Sequence, residues 1–191
     1  MNLPNCLTLL RVFLIPVFLV FIYVDSIPFH YLLALIIFAA ASVTDALDGH
    51  IARSRNLVTN FGKFLDPLAD KVLVITALTV FVELDEIKMS AIPLIIITAR
   101  EFMVSGLRLL AAEDGVVIAA GIWGKLKTAF TMVTIVAVLI YLSVTGDFSV
   151  DLPESIKTWG LNSLIWISTI LTIISGGIYL KGCWKYINTS K

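Results

Sequence analysis

Long apolar runs fill the chain, broken at intervals by short polar segments. Runs close to the ~20 residues that carry a helix across a bilayer recur at about residues 7–24, 29–50, 67–84, 90–111, 124–145 and 159–182. The pattern predicts an all-α integral membrane bundle of six transmembrane helices. These spans and their short loops use up the 191 residues, so residues 1–191 are expected to form one membrane domain. Any chemistry would then fall to the helices and their ends. Among the breaks, Asp25-Ser26-Ile27-Pro28 reads as a short turn, Ser54 to Gly62 as a polar loop, and Gly146 to Pro153 as a second loop. Asp66-Pro67 is expected to open the third span, because proline is tolerated in a first helical turn. Pro16 predicts a kink in the first span.

Composition sharpens this picture. The chain is 59% hydrophobic and 15% charged, with a mean hydropathy of +0.97, whereas soluble domains carry about 45–50% apolar and ~25% charged residues. The formal net charge is zero, which gives no basis for a nucleic-acid partner. The distribution of charge says more than the sum. With six spans, twelve of the fourteen Lys and Arg fall on one side, leaving only Lys88 and Lys157 on the other. That other side collects Asp25, Glu83, Asp85, Glu86, Asp147, Asp151 and Glu154. The positive-inside rule then places both termini and the loop after the second span in the cytoplasm. Arg11 interrupts the first apolar run and no small-residue cleavage site follows, so this span is expected to be retained. Cys6 and Cys183, isolated and on the reducing side, are expected to be free thiols.

Four aspartates sit where a membrane protein tolerates them least: Asp45, Asp48, Asp66 and Asp70. Asp45 and Asp48 are three apart, Asp66 and Asp70 four apart, so each pair shares one helix face. Carboxylates gathered in one place repel one another and resist desolvation, and a bound cation relieves both penalties. Hard oxygen donors without a soft ligand nearby point to Mg2+ or Mn2+.

The stretch Asp45-x-x-Asp48-Gly49-x-x-Ala52-Arg53-x8-Gly62-x-x-x-Asp66-x-x-x-Asp70 resembles the signature of the CDP-alcohol phosphatidyltransferases, with all eight signature positions filled. The surroundings are similar to the branch of that family whose acceptor is sn-glycerol 3-phosphate. The matching segments are Asn2 to Arg11, Phe61 to Lys71, Ala99 to Arg108 and Gly124 to Thr128. The resemblance implies transfer of a phosphatidyl group from CDP-diacylglycerol to sn-glycerol 3-phosphate, giving phosphatidylglycerophosphate and CMP. It also implies membrane lipids as surroundings and a homodimer.

On this resemblance Asp45, Asp48, Asp66 and Asp70 would hold the metal, and Asp70 would also serve as general base. Asp45, Asp48, Gly49, Ala52, Arg53, Gly62 and Asp66 would bind CDP-diacylglycerol, the small residues making room for cytidine and ribose. The doubly anionic acceptor needs fixed cations. Arg100, Arg108 and Lys127 are the candidates, with Lys125 behind them and Asn5, Thr8 and Arg11 closing the site from the first helix. Arg100 and Arg108 lie eight apart, on roughly one face, and arginine suits bidentate phosphate recognition.

Plainer readings stand beside these. Arg100 could pair with a neighbouring acid for structure alone, Arg53 could be an interfacial anchor, and Asn5 and Thr8 could cap and anchor the first helix. His30 and His50 are not read as ligands. Within the family, the cationic set does not by itself separate glycerol phosphate from inositol phosphate. A small cation transporter is the reading from another class. It would place its acids near the midplane on broken helices, whereas these four lie at one membrane edge.

Overall fold

The computed structural model describes residues 3–54, 60–113 and 121–187, with side chains given for 5–44, 65, 68–112 and 121–184. Within these residues the chain is all-helical and carries no strand. The long helices are α1 (Leu3–Tyr23), α2 (His30–Ser54), α3 (Asn60–Glu83), α4 (Ala91–Glu113), α5 (Ile122–Leu142) and α6 (Asn162–Ile187). A π-helical turn, Ser143–Asp147, prolongs α5, and a second, Ile156–Leu161, leads into α6.

Three of the helical segments described are long and apolar enough to cross a bilayer: Asn5–Tyr23, Ile122–Asp147 and Ile156–Trp184. His30–Thr44, in α2, is a shorter apolar stretch. The apolar runs of α3 and α4 are interrupted by charge, Asp66, Asp70 and Lys71 in the one and Arg100, Glu101 and Arg108 in the other.

Two boundaries differ from the sequence reading. Helix α3 starts at Asn60 rather than at Asp66-Pro67. Pro67 therefore sits inside the helix and denies the carbonyl of residue 63 its usual donor, a defect that membrane helices absorb where water or side chains replace the bond. The loop expected at 146–153 begins later, because the π-turn carries the fifth helix to Asp147. Helix α1 runs unbroken through Pro16.

By its contacts the chain divides into two compact units. The first comprises Met1–Val80 and Ile135–Pro153. Here α1 packs along α2. Ile15, Phe18 and Ile22 form a buried stripe on α1; Tyr31, Ala34, Phe38 and Ala41 form one on α2. The Phe18 and Phe38 rings meet at 6.0 Å between centroids. Ala34 and Ala41, to either side of Phe38 in the stripe, let the backbones approach closely.

The start of α2 is held from far along the chain. Phe29, in a left-handed conformation (φ 55°), has no side-chain acceptor for the first-turn amides. The Asp147 carboxylate takes that role, accepting from the Tyr31 N–H at 3.3 Å and the Leu32 N–H at 2.6 Å. Gly146 is required beside it, since a Cβ there would lie 2.6 Å from the Tyr31 ring. Asp147→Ala removes the cap, with an expected loss of about 1–2 kcal/mol. A lowered thermal midpoint in detergent, with Asp147→Asn falling between the two, checks this.

The second unit comprises Phe81–Thr134 and Glu154–Lys191. Helix α4 packs on α6, with Val104, Leu107, Tyr179 and Cys183 forming a buried cluster. Thr131 and Ser168 share a buried hydroxyl contact at 2.8 Å between α5 and α6. Hydroxyl pairs of this kind hold apolar helices together where lipid offers no competing partner.

Candidate active site

Helix α2 carries Asp45, Asp48, Gly49, Ala52 and Arg53 in one uninterrupted helical stretch. Residues 45, 48, 49 and 52 recur at three- and four-residue intervals and share one face. The early start of α3 has a consequence here: Gly62, Asp66 and Asp70 lie at four-residue intervals on a single helix, about 6 Å apart per step. The side-chain surroundings of Asp45, Asp48, Gly49, His50, Ala52, Arg53, Gly62, Lys63 and Asp66 lie outside the described residues. Asp70 is described and half-buried.

On α1, Asn5, Thr8 and Arg11 are all buried, Thr8 and Arg11 completely. Arg11 is among the largest side chains fully enclosed by the protein. The helix begins at Leu3, so Thr8 lies well inside it and caps nothing. Enclosure also sets these three apart from interfacial anchors, which would be exposed.

The second unit brings two of the three predicted acceptor cations onto one carboxylate. Arg100 and Lys127, on α4 and α5, are both buried. Arg100 Nη1 donates to Glu101 Oε1 at 3.1 Å, and Lys127 Nζ donates to the same oxygen. Arg100 Nη2 donates to Ser175 Oγ on α6 at 2.7 Å. Among these three described residues, two cations and one carboxylate carry one net positive charge. Its arginine is fitted closely: a Cβ on Gly176 would approach Arg100 Cγ to 3.2 Å, and one on Gly124 would lie 3.7 Å from Nη2. Lys127 points inward and Lys125 is exposed, since residues two apart on a helix lie on opposite sides.

Arg108 keeps the register predicted for it. Its Nε donates to the Tyr179 hydroxyl at 2.7 Å, and its guanidinium carbon lies 5.3 Å from the ring centroid. Arg100 and Arg108 thus meet Ser175 and Tyr179, one turn apart on α6. Fixed in this way, the two guanidinium groups lose little further freedom on meeting an anion. Arg100 does pair with a neighbouring acid, as the plainer reading anticipated, yet its Nε has no hydrogen-bond partner among the described residues.

The sequence reading named Arg100, Arg108 and Lys127 but gave no role to Glu101, Ser175, Gly176 or Tyr179. Glu101 had a visible signal: an acid inside an apolar span must find a partner. Ser175, Gly176 and Tyr179 had none, being ordinary small or aromatic residues on a membrane helix.

The family model for CDP-alcohol phosphatidyltransferase matches residues 1–174. The chain belongs to the CDP-alcohol phosphatidyltransferases. Curated relatives named CDP-diacylglycerol–glycerol-3-phosphate 3-phosphatidyltransferase are similar to it, several over nearly its full length. One from Bacillus subtilis (strain 168) is 40% identical, covering 99% of this chain and 98% of its own. One from Rickettsia bellii (strain RML369-C) is 39% identical, covering 97% of each. One from Haemophilus influenzae is 44% identical over 70% of this chain and 73% of its own.

For a CDP-alcohol phosphatidyltransferase, the donor chemistry on α2 and α3 suits a hard divalent cation. All four aspartates stand on regular helix, and carboxylate oxygen is the donor Mg2+ and Mn2+ prefer. Cys6 is exposed, Cys183 is buried, and both are free thiols.

Proposed function

We propose that this membrane enzyme transfers the phosphatidyl group of CDP-diacylglycerol to sn-glycerol 3-phosphate, releasing phosphatidylglycerophosphate and CMP. The relatives' names support this acceptor, and the buried Arg100–Glu101–Lys127 cluster is the observation that carries it. Charge buried in a membrane helix is costly unless used, and a cluster of two cations and one carboxylate, with a guanidinium N–H unmet among the described residues, fits a phosphate.

The donor half of the reaction is assigned to α2 and α3. Asp45, Asp48, Asp66 and Asp70 would hold Mg2+ or Mn2+, with Gly49, Ala52 and Gly62 leaving space for the nucleotide and Arg53 reaching its phosphate. When bound, a divalent ion neutralises charge on the pyrophosphate and on the departing CMP. Asp70 takes the proton from the acceptor hydroxyl as its oxygen attacks the phosphatidyl phosphorus. The bond from that phosphorus to the CMP oxygen breaks, and CMP leaves. Arg100, Arg108 and Lys127 hold the acceptor phosphate, and Asn5, Thr8 and Arg11 supply polar groups from α1.

The charge asymmetry and the apolar runs of the sequence support six spans in one domain, residues 1–191, three of them long and apolar enough to cross a bilayer among the described residues. Both termini and the aspartates then face the cytoplasm of a bacterial cell membrane. A homodimer is proposed from the family resemblance. The transporter reading loses its ground, since the α2 and α3 stretches that carry the acids are continuous helices.

The decisive test is CMP release by purified protein from CDP-diacylglycerol with glycerol 3-phosphate, inositol phosphate, serine or no acceptor. Release only with glycerol 3-phosphate establishes the proposal; release only with another acceptor overturns the assignment. A second expectation concerns the cations. Arg100→Met should raise the KM for glycerol 3-phosphate about 10- to 100-fold, the worth of a charge-assisted hydrogen bond. Lys125→Met, at an exposed position, should change it less than about twofold. Equal effects at the two positions would refute the placement of the phosphate.

A further inference from the structure

A carboxylate is an odd member of an anion-binding cluster. Were positive charge the only requirement, an apolar residue at position 101 would leave Arg100 and Lys127 with twice the net charge. Glu101 instead gives both cations a single oxygen. The Arg100 and Lys127 bonds converge on Oε1, and Oε2 accepts nothing among the described residues. A carboxylate has about four acceptor sites, so half of this one's capacity is unused. The side chain retains 18% exposure, against 10% for Arg100 and 4% for Lys127, so the carboxylate is the most accessible of the three. Arg100 Nε, a donor, is likewise unmet among the described residues. Among the described residues the ion pair therefore keeps an unused acceptor on its more accessible member and an unused, buried donor. A fully ionised phosphate monoester presents only acceptors, so an acceptor oxygen beside the cations suits a ligand that also carries a hydroxyl.

We propose that Glu101 determines acceptor specificity: its Oε2 accepts a hydrogen bond from the hydroxyl of the phosphorylated polyol that does not react. Arg100 and Lys127, steadied by Oε1, meet the phosphate of the same molecule. The ligand class is thus a small polyol monophosphate with a hydroxyl between its phosphate and its reacting end. This rests on the function proposed above and adds the group that distinguishes such an acceptor from a plain alkanol phosphate. Sites built to bond a substrate hydroxyl reject the analogue that lacks it.

The test compares glycerol 3-phosphate with 3-hydroxypropyl phosphate, which keeps the phosphate and the reacting hydroxyl but lacks the middle one. The wild-type enzyme should favour glycerol 3-phosphate at least about tenfold in kcat/KM. In Glu101→Gln the amide carbonyl is drawn to the two cations, which leaves an N–H2 donor in the place of Oε2 and exchanges a charge-assisted bond from the hydroxyl for a weaker neutral one to it. The preference should shrink to within about threefold, with the loss falling on glycerol 3-phosphate. A residue that merely holds Arg100 and Lys127 in place would slow both acceptors alike and leave the ratio unchanged, which would overturn the proposal. Equal use of the two acceptors by the wild type would overturn it without any variant. Glu101→Asp, which keeps the charge but withdraws the oxygens by one methylene, supplies a second variant should Glu101→Gln not fold. It too should lose the preference, and a retained ratio would count against the proposal. Failure of the underlying function has a different signature: no turnover of glycerol 3-phosphate by the wild type alongside turnover of another acceptor, which would overturn the proposal with it.

Discussion

Asp70→Asn should lower turnover by about three orders of magnitude, the middle of the range for removing a general base. Asparagine matches aspartate in size but cannot accept the hydroxyl proton. Because α3 begins at Asn60, Asp70 stands one turn beyond Asp66 and two beyond Gly62 on a continuous helix, and the substitution leaves that scaffold intact. Affinity for CDP-diacylglycerol, measured by titration in detergent, should stay within about threefold. Two roles for Asp70 can be separated. Were its main contribution a metal ligand, excess Mg2+ or Mn2+ would restore much of the activity; a missing base is not restored by metal. Near-normal turnover would remove Asp70 from the mechanism.

Removing the divalent ion should be still more damaging. EDTA should bring CMP release down to the uncatalysed background, and Mg2+ or Mn2+ should restore it. Gathered as proposed, the four carboxylates would repel one another when no cation intervenes, so the ion should also stabilise the fold. Saturation a hundredfold above the dissociation constant adds about 2.7 kcal/mol through binding to the folded state alone. The thermal midpoint should therefore rise with metal concentration, a readout independent of turnover. Asp48→Asn and Asp66→Asn should each shift that midpoint titration to higher metal concentrations. An EDTA-treated protein with full activity and an unchanged midpoint would exclude the metal site.

These effects bear on how the two halves of the chemistry were legible. That Asp45 and Asp48, and Asp66 and Asp70, share a helix face could be read from spacing alone, because three- and four-residue intervals are a property of one helix and need no knowledge of its neighbours. The apolar runs foretold long helices for the same reason, three of them apolar enough to cross a bilayer among the described residues. Their ends were less certain. Asp66-Pro67 looked like a helix start because proline suits a first turn, whereas α3 carries Pro67 internally and gains six residues at its N-terminal side.

Contacts between helices were a different matter. Nothing in Asp147 marks it as the cap of a helix that starts over a hundred residues earlier, since the amides it meets, at Tyr31 and Leu32, are backbone groups that every residue carries. Ser175 and Tyr179 likewise became partners of Arg100 and Arg108 only when α6 came to lie against α4. The sequence by itself determined which residues are charged, which share a helix face and which segments are apolar. It also indicated that Arg100 and Glu101, inside an apolar span, must find partners. The tertiary structure decided which partners they are, that Lys127 joins Arg100 on one carboxylate oxygen, and that Asn5, Thr8 and Arg11 are enclosed. The physical reason is one of range: helical periodicity is local and written in spacing, whereas burial and pairing depend on packing between segments far apart in the chain.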